Sequence, residues 1–83
     1  MTTCDLSVET FQGVYDLDRV VGVLSLLNLT PIEFNCVRQG DGLLIKVRLA
    51  APERTAALCL ARIRAMHCVA RADLDIAPLE NRP

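Results

Sequence analysis

The sequence predicts an α+β fold with four strands and two helices in the order βαββαβ. Two observations carry this prediction: apolar and polar residues alternate in four segments, and apolar residues recur at helical spacing in two others. Each half of the chain forms one β-α-β unit, and right-handed crossovers place both helices on one face of a four-stranded antiparallel sheet. We therefore predict a ferredoxin-like sandwich, formed as a single domain by residues 1–77.

The first strand and the first helix are predicted from two different apolar periods. Residues 4–8 alternate between apolar and polar side chains, as on a strand with one buried face. Asp16 is predicted as the N-cap of the helix. The predicted core stripe of this helix consists of Leu17, Val20, Val21, Leu24 and Leu27. Asn28 is predicted to end it, because Asn tolerates the left-handed conformation of a C-terminal cap.

The second and third strands are predicted to form a hairpin. Pro31 prevents the helix from continuing, and residues 32–36 alternate as a strand. Residues 39–42 contain the Asp-Gly pair that is the strongest short-range signal of a hairpin turn. Residues 43–49 follow, with Leu and β-branched residues on one face and two cations on the other.

The second half of the chain repeats this plan. Pro52 is predicted in the first turn of a helix, with Glu53 near the positive end of the helix dipole. The predicted buried stripe of this helix consists of Ala56, Cys59, Leu60, Ile63 and Met66. Residues 69–76 alternate as the last strand. Residues 78–83 are polar and are predicted to be a flexible C-terminal tail.

The charge and hydropathy of the chain exclude several classes of partner. Nine basic and ten acidic residues give a formal net charge of −1, which is not typical of proteins that bind nucleic acid or anionic membranes. No apolar run approaches the roughly 20 residues of a spanning helix, and the first residues lack the pattern of a secretion signal. We predict a cytoplasmic protein with no nucleic-acid or membrane partner.

The four cysteines are predicted to be free thiols that pack in the interior. They are Cys4, Cys36, Cys59 and Cys68, and no two of them form the close pair on which zinc sites in small domains usually rely. The one histidine, His67, is adjacent to Cys68, and neighbours in sequence seldom converge on one metal. We predict no metal site, and a metal site or a disulfide is the lesser alternative to free thiols.

Two families that share this topology fit the residues poorly. An RNA-recognition module stacks bases on aromatic residues of its central strands, where this chain offers Leu44, Lys46 and Arg48. Residues 12–14, Gln-Gly-Val, resemble the phosphate-binding turn of acylphosphatase, but Leu17 stands where that family has an arginine. Without this cation little would stabilise a transferring phosphoryl group. A degenerate acylphosphatase-like protein stays as a minor alternative.

Most of the chain resembles ACT domains, and within them the short form of the acetolactate synthase small subunit. The first helix and second strand of that family resemble LDRVVGVLSLLNLTPIEFNC, residues 17–36, with Asn28 and Leu29 in place of its Gly-Phe. Its second helix and closing strand resemble residues 51–66 and the segment CVARADLDI, residues 68–76. The resemblance implies an ACT domain without catalytic residues.

The resemblance also implies an effector site at the first turn, where relatives hold the carboxylate and ammonium of an amino acid. The residues of this turn are Gln12, Gly13, Val14, Tyr15 and Asp16. The Pro-Gly pair of the relatives is absent, and Tyr15 is bulky. Two interpretations stay open: a branched-chain amino acid binds here, or Gly13 turns the chain, Asp16 caps the helix and Tyr15 packs over the edge. We favour the second.

The function that the resemblance implies is that of a non-catalytic regulatory subunit. Its partner would be the thiamine-diphosphate-dependent catalytic subunit of acetolactate synthase, an enzyme of branched-chain amino acid biosynthesis, whose active assembly it would stabilise. The alternative is a stand-alone ACT-domain sensor that binds an amino acid between two protomers.

A homodimer is predicted from the apolar surplus of the first helix and from an unpaired strand edge. Val23 and Leu26 lie off the predicted core stripe, and ACT domains typically pair side by side at this helix and the following strand. The predicted dimer interface consists of Val23, Leu26, Leu27, Pro31, Glu33 and Asn35.

Overall fold

The computed structural model describes residues 2–77, apart from the side chains of Val14 and Ala77. The elements are β1 (Thr2–Thr10), α1 (Val14–Leu26), β2 (Pro31–Gln39), β3 (Gly42–Ala51), α2 (Glu53–Arg64) and β4 (Val69–Ala77). The predicted order βαββαβ is confirmed. The predicted C-terminal tail, residues 78–83, lies outside the described residues.

The four strands form one antiparallel sheet in the order β2-β3-β1-β4. Opposite residues share a face of the sheet, so Leu6 of β1 lies beside Val47 of β3 and Leu74 of β4. This face packs against both helices and forms the core. The core residues are Leu6, Val8, Val20, Leu24, Ile45, Val47, Leu49, Cys59, Ile63 and Ala72.

Two helices do not cover all four strands. Helix α1 packs mainly against β3 and α2, and α2 packs mainly against β4 and β1, whereas the extensive contacts of β2 are with β3. Cys36 of β2 packs against the core, but the helix side of β2 at Ile32 and Phe34 is left open within residues 2–77. Ile32 and Phe34 are exposed there although both are large and apolar.

Helix α1 begins earlier than the sequence predicts. Its N-cap is Gly13, with φ 116° and ψ −130°, which is backbone geometry that glycine adopts and other residues rarely do. The Asp16 N–H donates to the Gly13 carbonyl over 2.8 Å, so Asp16 is the third helical residue. The prediction that Asp16 is the N-cap is wrong, because its carboxylate caps the helix from inside the first turn.

The predicted end of α1 is confirmed. Asn28 has φ 59°, and its N–H donates to the Ser25 carbonyl over 3.0 Å. The Leu29 N–H donates to the Leu24 carbonyl over 2.8 Å, which completes a Schellman motif. Leu29 also packs against the core cluster that contains Leu24, so the motif leads the chain tightly into β2.

One position of the predicted α1 stripe is wrong. Val20 and Leu24 are buried and Leu17 and Leu27 pack against them, but Val21 is exposed. Consecutive helical residues point about 100° apart, so Val21 cannot share the direction of Val20. Val23, which was predicted to lie off the stripe, packs against the core instead.

The hairpin and the second helix follow their predictions closely. Gln39 pairs with Gly42, and Gly40 supplies the positive φ of 61° in the turn between β2 and β3. Ala56, Cys59 and Ile63 are buried on α2, with Leu60 and Met66 packed beside them. Pro52 is the N-cap and not a residue of the first turn, because its ψ of 144° is extended.

The predicted interior position of the thiols is confirmed. Cys4 and Cys59 are buried, Cys36 and Cys68 are half-buried, and all four are free. Within residues 2–77, no group of three or more His, Cys, Asp or Glu side chains is arranged to hold a metal ion. No helix in that range is both long enough and apolar enough to cross a membrane.

A matched pair of glycine substitutions tests the packing of the hairpin on β1. A Cβ added at Gly42 would overlap the backbone carbonyl of Thr10, whereas one added at Gly22 would meet nothing within 4 Å. We expect Gly42→Ala to lower the free energy of unfolding by about 3 kcal/mol, since the rigid backbone cannot yield. Gly22→Ala should raise it by about 0.5–1 kcal/mol, because Ala favours the helix. Urea unfolding measures both, and equal effects would contradict the close approach of Gly42 to Thr10.

Candidate functional site

The first turn is organised around the carboxylate of Asp16. One oxygen, Oδ2, accepts hydrogen bonds from the backbone N–H of Gln12 at 2.6 Å and of Gly13 at 2.9 Å. The side chain lies beneath the turn, and Asp16 is only 1% exposed. The structure therefore brings together Gln12, Gly13 and Asp16 of the predicted effector site, and they are hydrogen-bond partners of one another.

This turn also connects segments that are distant in the sequence. The Phe11 N–H donates to the carbonyl of Cys68, which immediately precedes β4, over 3.1 Å. The hydroxyl of Thr10 accepts the N–H of Leu43, at the start of β3, over 3.1 Å. The ends of β1, β3 and β4 thus meet the start of α1 at one place.

The hydrogen bonds at the turn keep Asp16 ionised. Burial raises the pKa of Asp16, but the N–H groups of Gln12 and Gly13 favour the carboxylate and lower it, with further lowering by the Thr10 hydroxyl and the Cys68 thiol. The net result is a pKa below the ordinary value of 3.8. Burial, followed by the charge of Asp16, raises the pKa of Cys68, so that thiol stays protonated.

An open cavity of about 690 Å³ lies outside this turn and is named the turn cavity. Besides Gln12, Asp16 and Cys68, it is lined by Phe11, Tyr15, Asp18, Arg19, Met66 and His67. Tyr15 is 81% exposed, so it does not pack over the sheet edge as the sequence suggested. Val14 of the predicted effector site begins α1, and its side chain lies outside the described part.

The turn is poorly arranged to hold a further anion while Asp16 accepts its hydrogen bonds. The two N–H groups that face inward, those of Gln12 and Gly13, already donate to Asp16. A phosphate or an amino acid carboxylate placed there would meet the negative charge of Asp16 at close range. This arrangement supports the interpretation of the turn as a cap.

A second cavity, of about 630 Å³, lies between α1 and the free side of β2 and is named the β2 groove. Its apolar lining consists of Val21, Leu24, Leu29, Pro31, Ile32 and Phe34. Ser25, Asn28 and Thr30 supply polar groups at the same place. The groove is the uncovered inner side of the edge strand, continued onto the flank of the helix.

The four apolar residues of the predicted dimer interface fall into three groups. Pro31 lines the β2 groove, whereas Val23 and Leu27 pack against the core. Leu26 is 70% exposed, but it lies about 140° around the helix from Val21 and does not line the groove. The structure therefore gathers only part of the predicted set at β2.

The two polar residues of the predicted interface lie on the other face of the sheet. Glu33 pairs with Arg48 across β2 and β3, and Asn35 pairs with Lys46. Arg48 forms ion pairs with Glu33 at 3.0 Å and with Asp5 at 2.9 Å, and all three side chains are substantially exposed. Exposed pairs of this kind contribute little to stability, so this face is a solvated polar surface.

Sequence reasoning missed Val21 and the exposure of Ile32 and Phe34. The alternation in β2 places Ile32 and Phe34 on the helix side, as a buried strand would require. Nothing in that pattern shows that α1 sits over β3 and leaves β2 uncovered. The exposure is thus a property of the tertiary structure.

The comparisons with known proteins point to the fold. No protein-family model matches the sequence, and no curated protein matches it. The ACT domain of a GTP pyrophosphokinase from Chlorobium tepidum has a similar structure, with a TM-score of 0.77 at 6% identity, over 90% of this chain and 100% of that one. The C-terminal domain of the MgtC protein from Mycobacterium tuberculosis has a TM-score of 0.71 at 12% identity, over 95% and 90%.

A larger enzyme contains a similar unit. A homoserine dehydrogenase from Thiobacillus denitrificans matches with a TM-score of 0.74 at 17% identity, over 90% of this chain but only 17% of that one. These similarities show that the chain has the ferredoxin-like fold of ACT domains.

Asp16→Asn tests the charge at the turn. We expect it to lower the free energy of unfolding at neutral pH by about 1–3 kcal/mol, because Asn is a weaker acceptor for two N–H groups. Since the folded pKa of Asp16 lies below 3.8, its contribution is present above that pH and is lost as pH falls through the folded pKa. The gap between variant and wild type should therefore narrow in acid.

Urea unfolding between about pH 7 and pH 2 measures this gap. Asp18→Asn is the matched control, since Asp18 is exposed on the same helix and its change should stay within about 0.5 kcal/mol. A gap for Asp16→Asn that is constant over the whole range would contradict a charge-dependent cap.

Proposed function

We propose that this chain, which has the fold of ACT domains, is a non-catalytic regulatory subunit that acts through protein–protein contacts. The observation that carries the proposal is the β2 groove, where large apolar side chains border the outer strand of the sheet formed by residues 2–77. Exposed apolar surface of this kind marks association sites on small domains.

The partner that best fits the groove is a second copy of the chain. In the described part of the chain β2 ends the sheet on one side, and its free N–H and C=O groups can pair with an identical strand. Pairing would continue the sheet and cover Ile32 and Phe34. We therefore propose a homodimer whose seam is β2 and the flank of α1 at Val21 and Ser25.

The opposite edge of the sheet offers a poorer seam. Strand β4 carries Asp73, which forms ion pairs with Arg71 at 3.0 Å and with Arg64 at 3.7 Å. Pairing another strand here would bring charged side chains together and remove them from water. This contrast supports β2 as the association edge.

For the larger partner we propose the catalytic subunit of acetolactate synthase. The support is the resemblance of residues 17–36 and 51–76 to the small subunit of that enzyme. In this role the chain carries no cofactor, and it stabilises the active assembly in the cytoplasm. Because Asp16 occupies the N–H groups of the turn, the subunit would activate its partner without an effector.

The alternative is a stand-alone ACT sensor, and one observation favours it. The β2 groove combines apolar lining with the polar side chains of Ser25, Asn28 and Thr30. Pairing at β2 would narrow this space of about 630 Å³, and an amino acid could bind between the protomers.

A dimer at β2 is tested by the mass in solution. Light scattering at micromolar concentration should give twice the chain mass of 9.1 kDa. Phe34→Glu should give a monomer, because it places a charge at the centre of the proposed seam. Leu58→Glu is the control. The exposed fractions of the two side chains are similar, 45% for Leu58 and 39% for Phe34, but Leu58 lies on α2, away from the proposed seam. A wild-type monomer, or a dimer that both variants keep, would overturn the proposed seam.

Thermal unfolding and an activity assay separate the two functions. We expect the chain to raise the activity of an acetolactate synthase catalytic subunit. We also expect valine, leucine and isoleucine to leave the melting temperature of the chain unchanged. A ligand at about 100 times its dissociation constant would stabilise the fold by roughly 2.7 kcal/mol, or roughly 10 °C or more for a domain of this size. Such a shift without any activation would favour the sensor.

A further inference from the structure

We propose that Arg64 is a clasp that closes the outer edge of β4, and that this edge would otherwise pair with the same strand of a second copy of the chain. The proposal goes beyond the regulatory function proposed above and does not depend on it. It concerns the edge of the sheet opposite to the β2 groove, and it assigns a role to one hydrogen bond between α2 and β4.

The side chain of Arg64 passes around the edge of β4. Arg64 is the last residue of α2, in the helix layer. Its Nε–H donates to the backbone carbonyl of Ala72 over 2.9 Å, and its Nη2 lies 3.7 Å from Oδ1 of Asp73. Ala72 is buried beneath the helices, whereas its neighbour Asp73 lies on the opposite face of the sheet. Because β4 is the outer strand within residues 2–77, a side chain that reaches from the helix layer to the other face must cross its edge.

The clasp occupies a backbone group that strand addition needs. An edge strand accepts a neighbour through the N–H and C=O groups that point away from the sheet. The guanidinium at the edge donates to one such group, the Ala72 carbonyl. A bond from a charged donor is stronger than one between two neutral groups, and the planar guanidinium is bulky. A second strand could therefore approach only after Arg64 had moved away.

Without the clasp, the charges of β4 match those of an identical antiparallel strand. In a pair whose twofold axis passes through Ala72, Arg71 of each copy stands opposite Asp73 of the other. Opposite charges directly across a strand pair stabilise it. The two Ala72 residues meet at the axis, where their outward N–H and C=O groups would bond to each other. The carbonyl that Arg64 covers is thus at the centre of this register.

The same charges are paired within one chain while Arg64 is in place. Asp73 lies 3.0 Å from Nε of Arg71 as well as 3.7 Å from Nη2 of Arg64. The exposed fractions of the three side chains are 56% for Asp73, 70% for Arg71 and 56% for Arg64, so these ion pairs contribute little to stability. They can be exchanged for pairs between two copies. The bond of Arg64 to the backbone is therefore what keeps the edge closed.

Replacement of Arg64 by alanine should open the edge. We expect the mean mass of Arg64→Ala, measured by light scattering, to rise with concentration to at least twice the wild-type mass, whatever number of copies the wild type contains. Arg62→Ala is the matched control, because Arg62 is an exposed arginine in the same last turn of α2, and it should keep the wild-type mass. A wild-type mass for Arg64→Ala at every concentration would overturn the proposal.

Charge reversals on β4 test the register and distinguish strand pairing from general aggregation. In Arg64→Ala, the further change Asp73→Arg would place like charges opposite each other, so the mass should return to that of the wild type. A mixture of this double variant with Arg64→Ala/Arg71→Asp should associate, because the facing charges are then opposite again. A rise in mass that Asp73→Arg leaves unchanged, or a mixture that does not associate, would contradict the proposed pairing.

A measurement on the wild type keeps the proposal falsifiable if Arg64→Ala does not fold. The Nε–H proton of Arg64 should exchange with water more slowly than that of Arg62, because it is bonded to the Ala72 carbonyl. Nuclear magnetic resonance in mildly acidic solution measures both rates. Equal rates would show that the clasp is open in solution and would overturn the proposal. The seam at β2 would still stand, because Phe34→Glu tests that seam independently.

Discussion

The interaction on which the rest of the structure depends is the burial of the Asp16 carboxylate beneath the first turn. Its two backbone partners fix the direction in which the chain leaves β1 and enters α1. Thr10 and Phe11 bind the starts of β3 and β4 at the same end of the sheet. Together the Asp16 carboxylate and the neighbouring bonds of Thr10 and Phe11 hold the start of one helix beside three strands.

The position of α1 then determines which part of the sheet stays open. The helix ends in a Schellman motif at Asn28 and leads directly into β2, while its buried stripe packs over β3. With α2 over β4 and β1, no helix packs extensively on the edge strand within the described range, and only Cys36 of that strand packs against the core. The exposure of the apolar side of β2 is thus a consequence of having two helices to cover a sheet of four strands.

The sequence predicts regular elements well where a single local rule decides them. Alternation gives the strands, Asn28 gives the end of α1, and residues 39–42 give the hairpin. Prediction from the sequence fails where the partner of a side chain is a backbone group or an element that is distant in the sequence. The spacing from Gly13 to Asp16 was a usable signal of a capping contact, but the two amides that Asp16 binds leave no mark in the residue pattern. The exposure of Phe34 depends on the placement of a helix, which no local rule supplies.

The ion pairs of β4 have a consequence for the size of any assembly. A sheet that adds identical copies at both edges would grow without limit, as a fibre does. Among the described residues, the ion pairs of Asp73 with Arg64 and Arg71 lie at the β4 edge, and the proposed seam would use the β2 edge alone. Two copies related by a twofold axis would use up both open edges at once. Growth would then stop at an eight-stranded sheet with charged margins, and the side chains of β4 would act as terminators of polymerisation.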